Sequence, residues 1–225
     1  MHQSLPLFST QIISQTTLVD HIVEIVLMRP EGFHWQVGDY LWLGSENTDF
    51  KPFSIANLPN ESIIKLHIAL VPNLAAWFSQ LLIQAQPQIK GAVSQYHWVN
   101  NKQPIMMFAG GTGITPLLAL LEGHKDALTE QSVTLYWGVR HAQWLFAHTE
   151  LDALAQNYPY FSWQAVVSEP DSEWSGLTGL LPDVIAQQQL DFSNKNIMIC
   201  GPWPMVQSIK NNAIALGVLA ADAIQ

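Results

Sequence analysis

Over residues 8 to about 99 the apolar positions form short β-type runs broken by turn residues. Residues 22–28 alternate, are rich in β-branched side chains, and stop at Arg29-Pro30-Glu31-Gly32. Residues 40–43 follow the turn Val37-Gly38-Asp39, and residues 52–56 and 63–70 come next. Runs at this spacing predict an antiparallel barrel or sandwich. One helical stretch interrupts them. Over 73–84, Leu74, Trp77, Phe78, Leu81 and Leu82 recur at helical intervals, with Asn73 as a candidate N-cap.

From about residue 103 the pattern changes to strand–helix–strand. Apolar strands are predicted at 105–109, 133–137, 161–167 and 197–200. Helices are predicted at 116–121, near 149–156, near 181–189 and from 204 to about 216. That alternation implies a parallel sheet with helices on both faces. The polar stretch Asn100-Asn101-Lys102-Gln103-Pro104 is the predicted linker. The chain thus reads as a β domain over 1–102 and an α/β nucleotide-type domain over 103–225. In open parallel sheets, ligands bind outside the carboxyl ends of the strands.

Composition narrows the chemistry. The 225 residues carry 9 Lys+Arg against 18 Asp+Glu, for a formal charge of −9, and 48% are hydrophobic. Such an apolar fraction excludes a mostly disordered chain. The acidic balance argues against a nucleic-acid partner, which needs clustered cations. Arg29 and Arg140 are the only arginines. A bound phosphate must therefore rely on few cations or on backbone N–H groups. Cys200 is the only cysteine, so neither an intramolecular disulfide nor a four-cysteine iron–sulfur cluster can form within the chain. His141 and His148 lack a matching carboxylate cluster, so no metal site is expected. Residues 1–10 lack the basic-then-apolar order of a signal peptide, and no apolar run nears the roughly 18 residues of a membrane span. A cytoplasmic protein is expected.

Three motifs carry candidate chemistry. The first is Ala109-Gly110-Gly111-Thr112-Gly113-Ile114-Thr115-Pro116, which follows a buried strand and opens a helix. Its glycines allow a tight turn and close approach to a phosphate. Thr115 can cap the helix and Pro116 suits its first position. A purely structural strand–helix turn would use the same residues, and Pro116 stands where a Rossmann fingerprint has a third glycine or alanine. The second is Cys200-Gly201-Pro202-Trp203-Pro204, again between a strand end and a helix start. A lone cysteine there can equally be a small core residue. The third is Lys51-Pro52-Phe53-Ser54-Ile55-Ala56-Asn57, where strand alternation puts Lys51, Phe53 and Ile55 on one side and Ser54 on the other.

Taken in chain order, Lys51 to Asn57, then the glycine loop, then Cys200-Gly201-Pro202, the three motifs resemble the ferredoxin–NADP reductase superfamily. With no cluster cysteines, the chain looks most like the compact bacterial NAD(P)H:flavin oxidoreductases, which include the reductases associated with bioluminescence. Leu66-His67-Ile68 and Tyr136-Trp137-Gly138-Val139-Arg140 are secondary matches. The resemblance implies a flavin-binding antiparallel β-barrel, usually six-stranded, joined to an α/β NAD(P)-binding domain with a parallel five-stranded sheet. By position, Lys51 and Pro52 would lie at the flavin, with Lys51 facing its phosphate. Phe53 would pack against the ring and Ser54 would hydrogen-bond near N5. His67 and Ile68 would lie beside the isoalloxazine. Gly110, Gly111, Thr112 and Gly113, with Thr115 and Pro116 behind them, would form the pyrophosphate loop. Cys200, Gly201 and Pro202 would sit near the nicotinamide, and Arg140 near the adenosine end.

The implied cofactors are FAD or FMN and NADH or NADPH. The implied activity is hydride transfer from reduced nicotinamide to flavin, with Ser54 and Cys200 closest to the reacting atoms. Lys51 replaces the usual arginine and cannot form a bidentate fork to phosphate. That suits a flavin that binds and leaves as a substrate. Lys90-Gly91-Ala92-Val93-Ser94 replaces a glycine-proline turn, and the chain stops at Ala223-Ile224-Gln225 without an aromatic tail to cover the flavin. An alternative is an FAD-containing reductase component that passes electrons to a separate ferredoxin or oxygenase protein. A further one is a non-catalytic nucleotide-binding module. Arg140 could read a 2′-phosphate, stack on adenine or pair with a carboxylate such as Glu150. With no second cation nearby, NADH is slightly favoured.

Overall fold

The computed structural model describes residues 5–83 and 86–215. The C-terminal tail and the last position of the helix predicted to reach Gln84 lie outside the described residues. The chain divides into two compact units, Met1–His97 with Leu118–Gly123, and Trp98–Leu117 with His124–Gln225.

The first unit is antiparallel. Its strands are β1 (Leu7–Ser9), β2 (Ile12–Val19), β3 (Ile22–Met28), β4 (Tyr40–Ser45), β5 (Thr48–Ser54), β6 (Ile63–Ala69) and β7 (Gln88–Val93), with helix α1 (Pro72–Ile83) before β7. They form a four-stranded sheet ordered β1-β7-β4-β5 and a three-stranded sheet ordered β2-β3-β6. A bridge from Ile55 to Leu66 joins them just past β5. Alternation builds the core. In β6, Ile64, Leu66 and Ile68 are buried, while Lys65 and His67 point away. Leu41 and Leu43 of β4 face the same interior, as do Trp77, Phe78 and Leu81 of α1. Each such burial stabilises by about 1.5–3 kcal/mol relative to exposure. Helix α1 begins at Pro72, so Asn73 lies within its first turn and is not the N-cap. Proline favours that first position because it has no N–H to leave unpaired.

The second unit holds a five-stranded sheet ordered β11-β10-β9-β8-β12. Its strands are β8 (Ile105–Gly110), β9 (Val133–Val139), β10 (Phe161–Val167), β11 (Leu177–Thr178) and β12 (Asn196–Cys200). All neighbours run parallel. The helices that follow β8 along the chain are α2 (Ile114–Gly123), α3 (His148–Asn157), α4 (Leu181–Gln188) and α5 (Trp203–Ala215). Every residue of β8 is buried, as a strand covered on both faces requires. The expected linker is anchored: Asn101 and Asn196 exchange side-chain amide hydrogen bonds of 2.9 and 3.3 Å at the start of β12. Strand β11, with two residues between Gly176 and Gly179, has too little pattern to be read from the sequence. Among the described residues, no helix is long and apolar enough to cross a membrane.

Candidate functional site

In the second unit, chain order runs outward from β8 in both directions. Strand β9 lies on one side of β8 and the last strand, β12, on the other. This is a topological switch point, where loops leaving the carboxyl ends of adjacent strands diverge and leave room for a ligand. Ala109 of β8 is level with Cys200 of β12, so the two motif loops leave the sheet side by side.

Their closeness explains most of the glycines. A Cβ at Gly113 would lie 2.2 Å from the Cys200 carbonyl oxygen. One at Gly201 would lie 2.9 Å from the Gly110 nitrogen, and one at Gly110 would lie 2.7 Å from the Met205 sulfur. Gly111 differs. Its φ is +55°, and a Cβ there would meet nothing within 4 Å. Three glycines therefore close the loops on one another, while the fourth faces open ground. An anion held by backbone N–H groups at a helix start fits that ground. Thr112 and Gly111 are half-exposed, whereas Gly113 is buried.

The helix after the loop begins at Ile114, preceded by a 3-10 turn over Gly111–Gly113. Thr115 is therefore inside the first turn, only 2% exposed, and does not cap the helix. Pro116 is the third helical residue instead of the first. The 3-10 turn winds the chain before the α-helical bonds start, which moves the helix start two residues earlier. Cys200 is half-buried, and Pro202 and Trp203 beyond it are exposed.

Arg140 follows β9 and pairs with Glu169 at 2.6 Å, not with Glu150. Its backbone oxygen also accepts a hydrogen bond from the Glu169 N–H. The His141 Nε2 lies 3.8 Å from the same carboxylate. Tyr136, on the other face of β9 from Trp137, stacks on Phe108. Burial pushes its phenol pKa up, so the hydroxyl stays protonated at neutral pH.

In the first unit, β5 carries Lys51, Pro52, Phe53 and Ser54. Phe53 lies 5.6 Å from the Trp77 ring, and the Lys51 ammonium lies 5.9 Å above that same ring. These two residues are level with buried Leu41 and Leu43. Ser54 and Pro52 are level with Tyr40 and Trp42 on the opposite face. The antiparallel Ile55–Leu66 bridge puts Ser54 level with His67 one step along. The His67 Nε2 lies 3.6 Å from Glu24 on β3. The His67 ring beside it holds the Glu24 carboxyl below its ordinary range against the opposing effect of burial, and Lys65 adds to the lowering.

Lys51 and Phe53 are thus brought together, and so are Ser54, His67 and Glu24, but on opposite faces of the sheet. Ile68 is fully buried in the core, so only its backbone can meet a ligand. Lys51, Phe53 and Ser54 are half-buried and Pro52 is exposed. β5 therefore carries one cation and one ring on one face and one hydroxyl on the other. Because β5 is the edge strand of its sheet, only a ligand lying along that edge, such as a flavin nucleotide, would meet all three. Glu169, Glu24 and the position of Trp77 beneath Lys51 were not evident from the sequence. The rule of strand carboxyl ends could have singled out Glu169, but Glu24 needs the β3–β6 register. Among the described residues, no group of three or more His, Cys, Asp or Glu could hold a metal.

Residues 107–211 match the Oxidoreductase NAD-binding domain family. A probable flavin reductase of Photobacterium leiognathi is 26% identical over 219 residues, covering 90% of this chain and 92% of the relative. The anthranilate 1,2-dioxygenase electron transfer component of Acinetobacter baylyi is also 26% identical, over 89% of this chain but only 59% of its own length. A ferredoxin NADP+ reductase from Neisseria gonorrhoeae, solved with bound FAD and NADP, superposes with a TM-score of 0.80 at 18% identity, over 97% of each chain.

Proposed function

We propose that this chain, which has the fold of the ferredoxin–NADP reductase superfamily and an oxidoreductase NAD-binding domain over 107–211, is an NAD(P)H:flavin oxidoreductase. The single observation that carries the reading is the switch-point loop pair, closed by Gly113 against Cys200 and open at Gly111. Its flavin part is assigned to residues 1–102 and its nucleotide part to 103–225. The similarity to a probable flavin reductase over nine-tenths of the chain supports the same activity.

When bound, the two cofactors supply a hydride from reduced nicotinamide and an acceptor at flavin N5. The residues of the chain do the binding and orienting. Backbone N–H groups around Gly111 and Thr112 hold the pyrophosphate, where the start of α2 favours negative charge. Cys200, Gly201 and Pro202 bound the nicotinamide end. Lys51 would meet the flavin phosphate, Phe53 would support the ring, and the Ser54 hydroxyl would donate a hydrogen bond to N5 of the oxidised flavin and accept one from its N–H after reduction. Little acid–base machinery is needed, because ring positioning and exclusion of water supply most of the acceleration. A single lysine on the flavin phosphate gives the exchangeable binding that a diffusible flavin requires.

The test is NADH and NADPH oxidation with added FMN, FAD or riboflavin. Turnover with free flavin is the expected result, and no flavin-dependent oxidation of either nucleotide would overturn the reading. A reductase component serving a separate protein is the second reading, supported by similarity to an oxygenase electron transfer component. A yellow protein whose flavin survives dialysis would favour it. We propose a cytoplasmic location, where the reduced nicotinamide nucleotides it would use are regenerated.

A further inference from the structure

Trp137 lies in β9, directly beside Ala109 of β8, and is wholly buried. Phe146 packs edge-on against its indole at 5.3 Å, and Trp163 lies 6.4 Å away. The indole has one polar atom, a donor, and a buried donor needs an acceptor. Nε1 donates to the carbonyl oxygen of Gly111 at 2.9 Å. The Ile114 N–H donates to the same oxygen from the helix side. Both acceptor directions of this carbonyl are therefore occupied.

Gly111 is also the loop residue with positive φ and open space where a side chain would be. A trans peptide is planar, with its C=O and N–H pointing in opposite directions. Fixing the Gly111 carbonyl inward on Trp137 therefore turns the Thr112 N–H away from the core. Glycine alone would let this peptide rotate at little cost. The indole removes that freedom before any ligand arrives, which lowers the ordering cost of binding.

We propose that Trp137 is a positioning residue for the dinucleotide pyrophosphate, acting through the Gly111 carbonyl to aim the Thr112 N–H at the ligand. This rests on the nucleotide reading of the glycine loop. The probe is ADP-ribose, which carries the pyrophosphate and adenosine but no nicotinamide. Trp137→Phe keeps an aromatic ring in the pocket and deletes the donor.

Calorimetry should show ADP-ribose binding weakened about three- to tenfold, the range of one net hydrogen bond. KM for NADH should rise by the same factor, with kcat and KM for flavin unchanged. Unchanged ADP-ribose affinity would overturn the proposal. So would a joint loss in kcat, both KM values and thermal stability, because that pattern marks general packing. If Trp137→Phe fails to fold, Gly111→Ala disturbs the same peptide in open space and should weaken ADP-ribose, while full affinity would again refute the idea. Wild-type protein that binds ADP-ribose but oxidises no NADH with any flavin would sink the flavin-reductase reading alone. Wild-type protein that binds no ADP-ribose would sink this proposal and the nucleotide reading together.

Discussion

The Arg140 Nε sits 2.6 Å from the Glu169 Oε1, just beyond the carboxyl ends of adjacent strands β9 and β10. The cation best placed for a 2′-phosphate is thus already neutralised, and a carboxylate stands where that phosphate would bring more negative charge. A ribose 2′-hydroxyl, in contrast, can donate to a carboxylate. Glu169→Gln should raise the NADPH-to-NADH ratio of kcat/KM by about three- to tenfold, an effect of about 1 kcal/mol. Both side chains are half-exposed, so the pair adds little stability and the melting temperature should not move. An unchanged ratio in steady-state assays would remove Glu169 from nucleotide selection.

The contact of Gly113 with Cys200 predicts a stability defect. Gly113→Ala forces a methyl group to within 2.2 Å of a backbone oxygen that cannot swing aside. Overpacking of this kind costs about 1–3 kcal/mol. Thermal unfolding should show a lowered midpoint together with lost nucleotide affinity. A midpoint equal to wild type would mean the loops separate freely.

Lys51 should discriminate among flavins. Lys51→Arg adds a planar fork and should lower KM for FMN and FAD while leaving riboflavin, which has no phosphate, unchanged. Lys51→Ala should raise KM for FMN by about three- to tenfold, the loss of one exposed charge-assisted hydrogen bond. Equal changes for FMN and riboflavin would place Lys51 away from the phosphate.

Glu24 gives the first unit an acid limb. Its folded pKa lies below the unfolded value, chiefly through the neighbouring His67. Its stabilising contribution is therefore present above the ordinary glutamate value and is lost as pH falls through the depressed one. The melting-temperature gap between wild type and Glu24→Gln should be full above the ordinary glutamate range and shrink as the pH falls below it. A gap that stays constant with pH would show that the pair contributes only packing.

Periodicity located the regular elements where burial follows a simple rule. Residues 22–28 and 161–167 were read with the bounds that β3 and β10 adopt. β2 escaped because it is an edge strand whose middle residues, Ser14 to Thr17, are exposed, so no alternating burial marks it. The helix starts at Pro72 and Ile114 differ from those that Asn73 and Thr115 suggest as caps in isolation, because proline takes the first position ahead of Asn73 and a 3-10 turn precedes Thr115. The glycine loop was visible as a motif, but the division of labour within it was not. Only the approach of β12 shows that Gly113 serves packing and Gly111 faces open space. The partners of Arg140 and His67 are set by strand neighbours far along the chain, which no local spacing encodes.

The pairing of β8 with β12 also sets an order of events. A growing chain delivers its N-terminal parts first. β8 and its glycine loop are therefore made well before Asn196–Cys200, the strand that completes them. Until then β8 has β9 on one side and an unpaired edge on the other, a template for wrong partners. The glycine loop also lacks the Cys200 backbone that Gly113 packs against. Closure of the glycine loop is thus among the last events of the chain's synthesis, and one that a product truncated before Asn196 would lack.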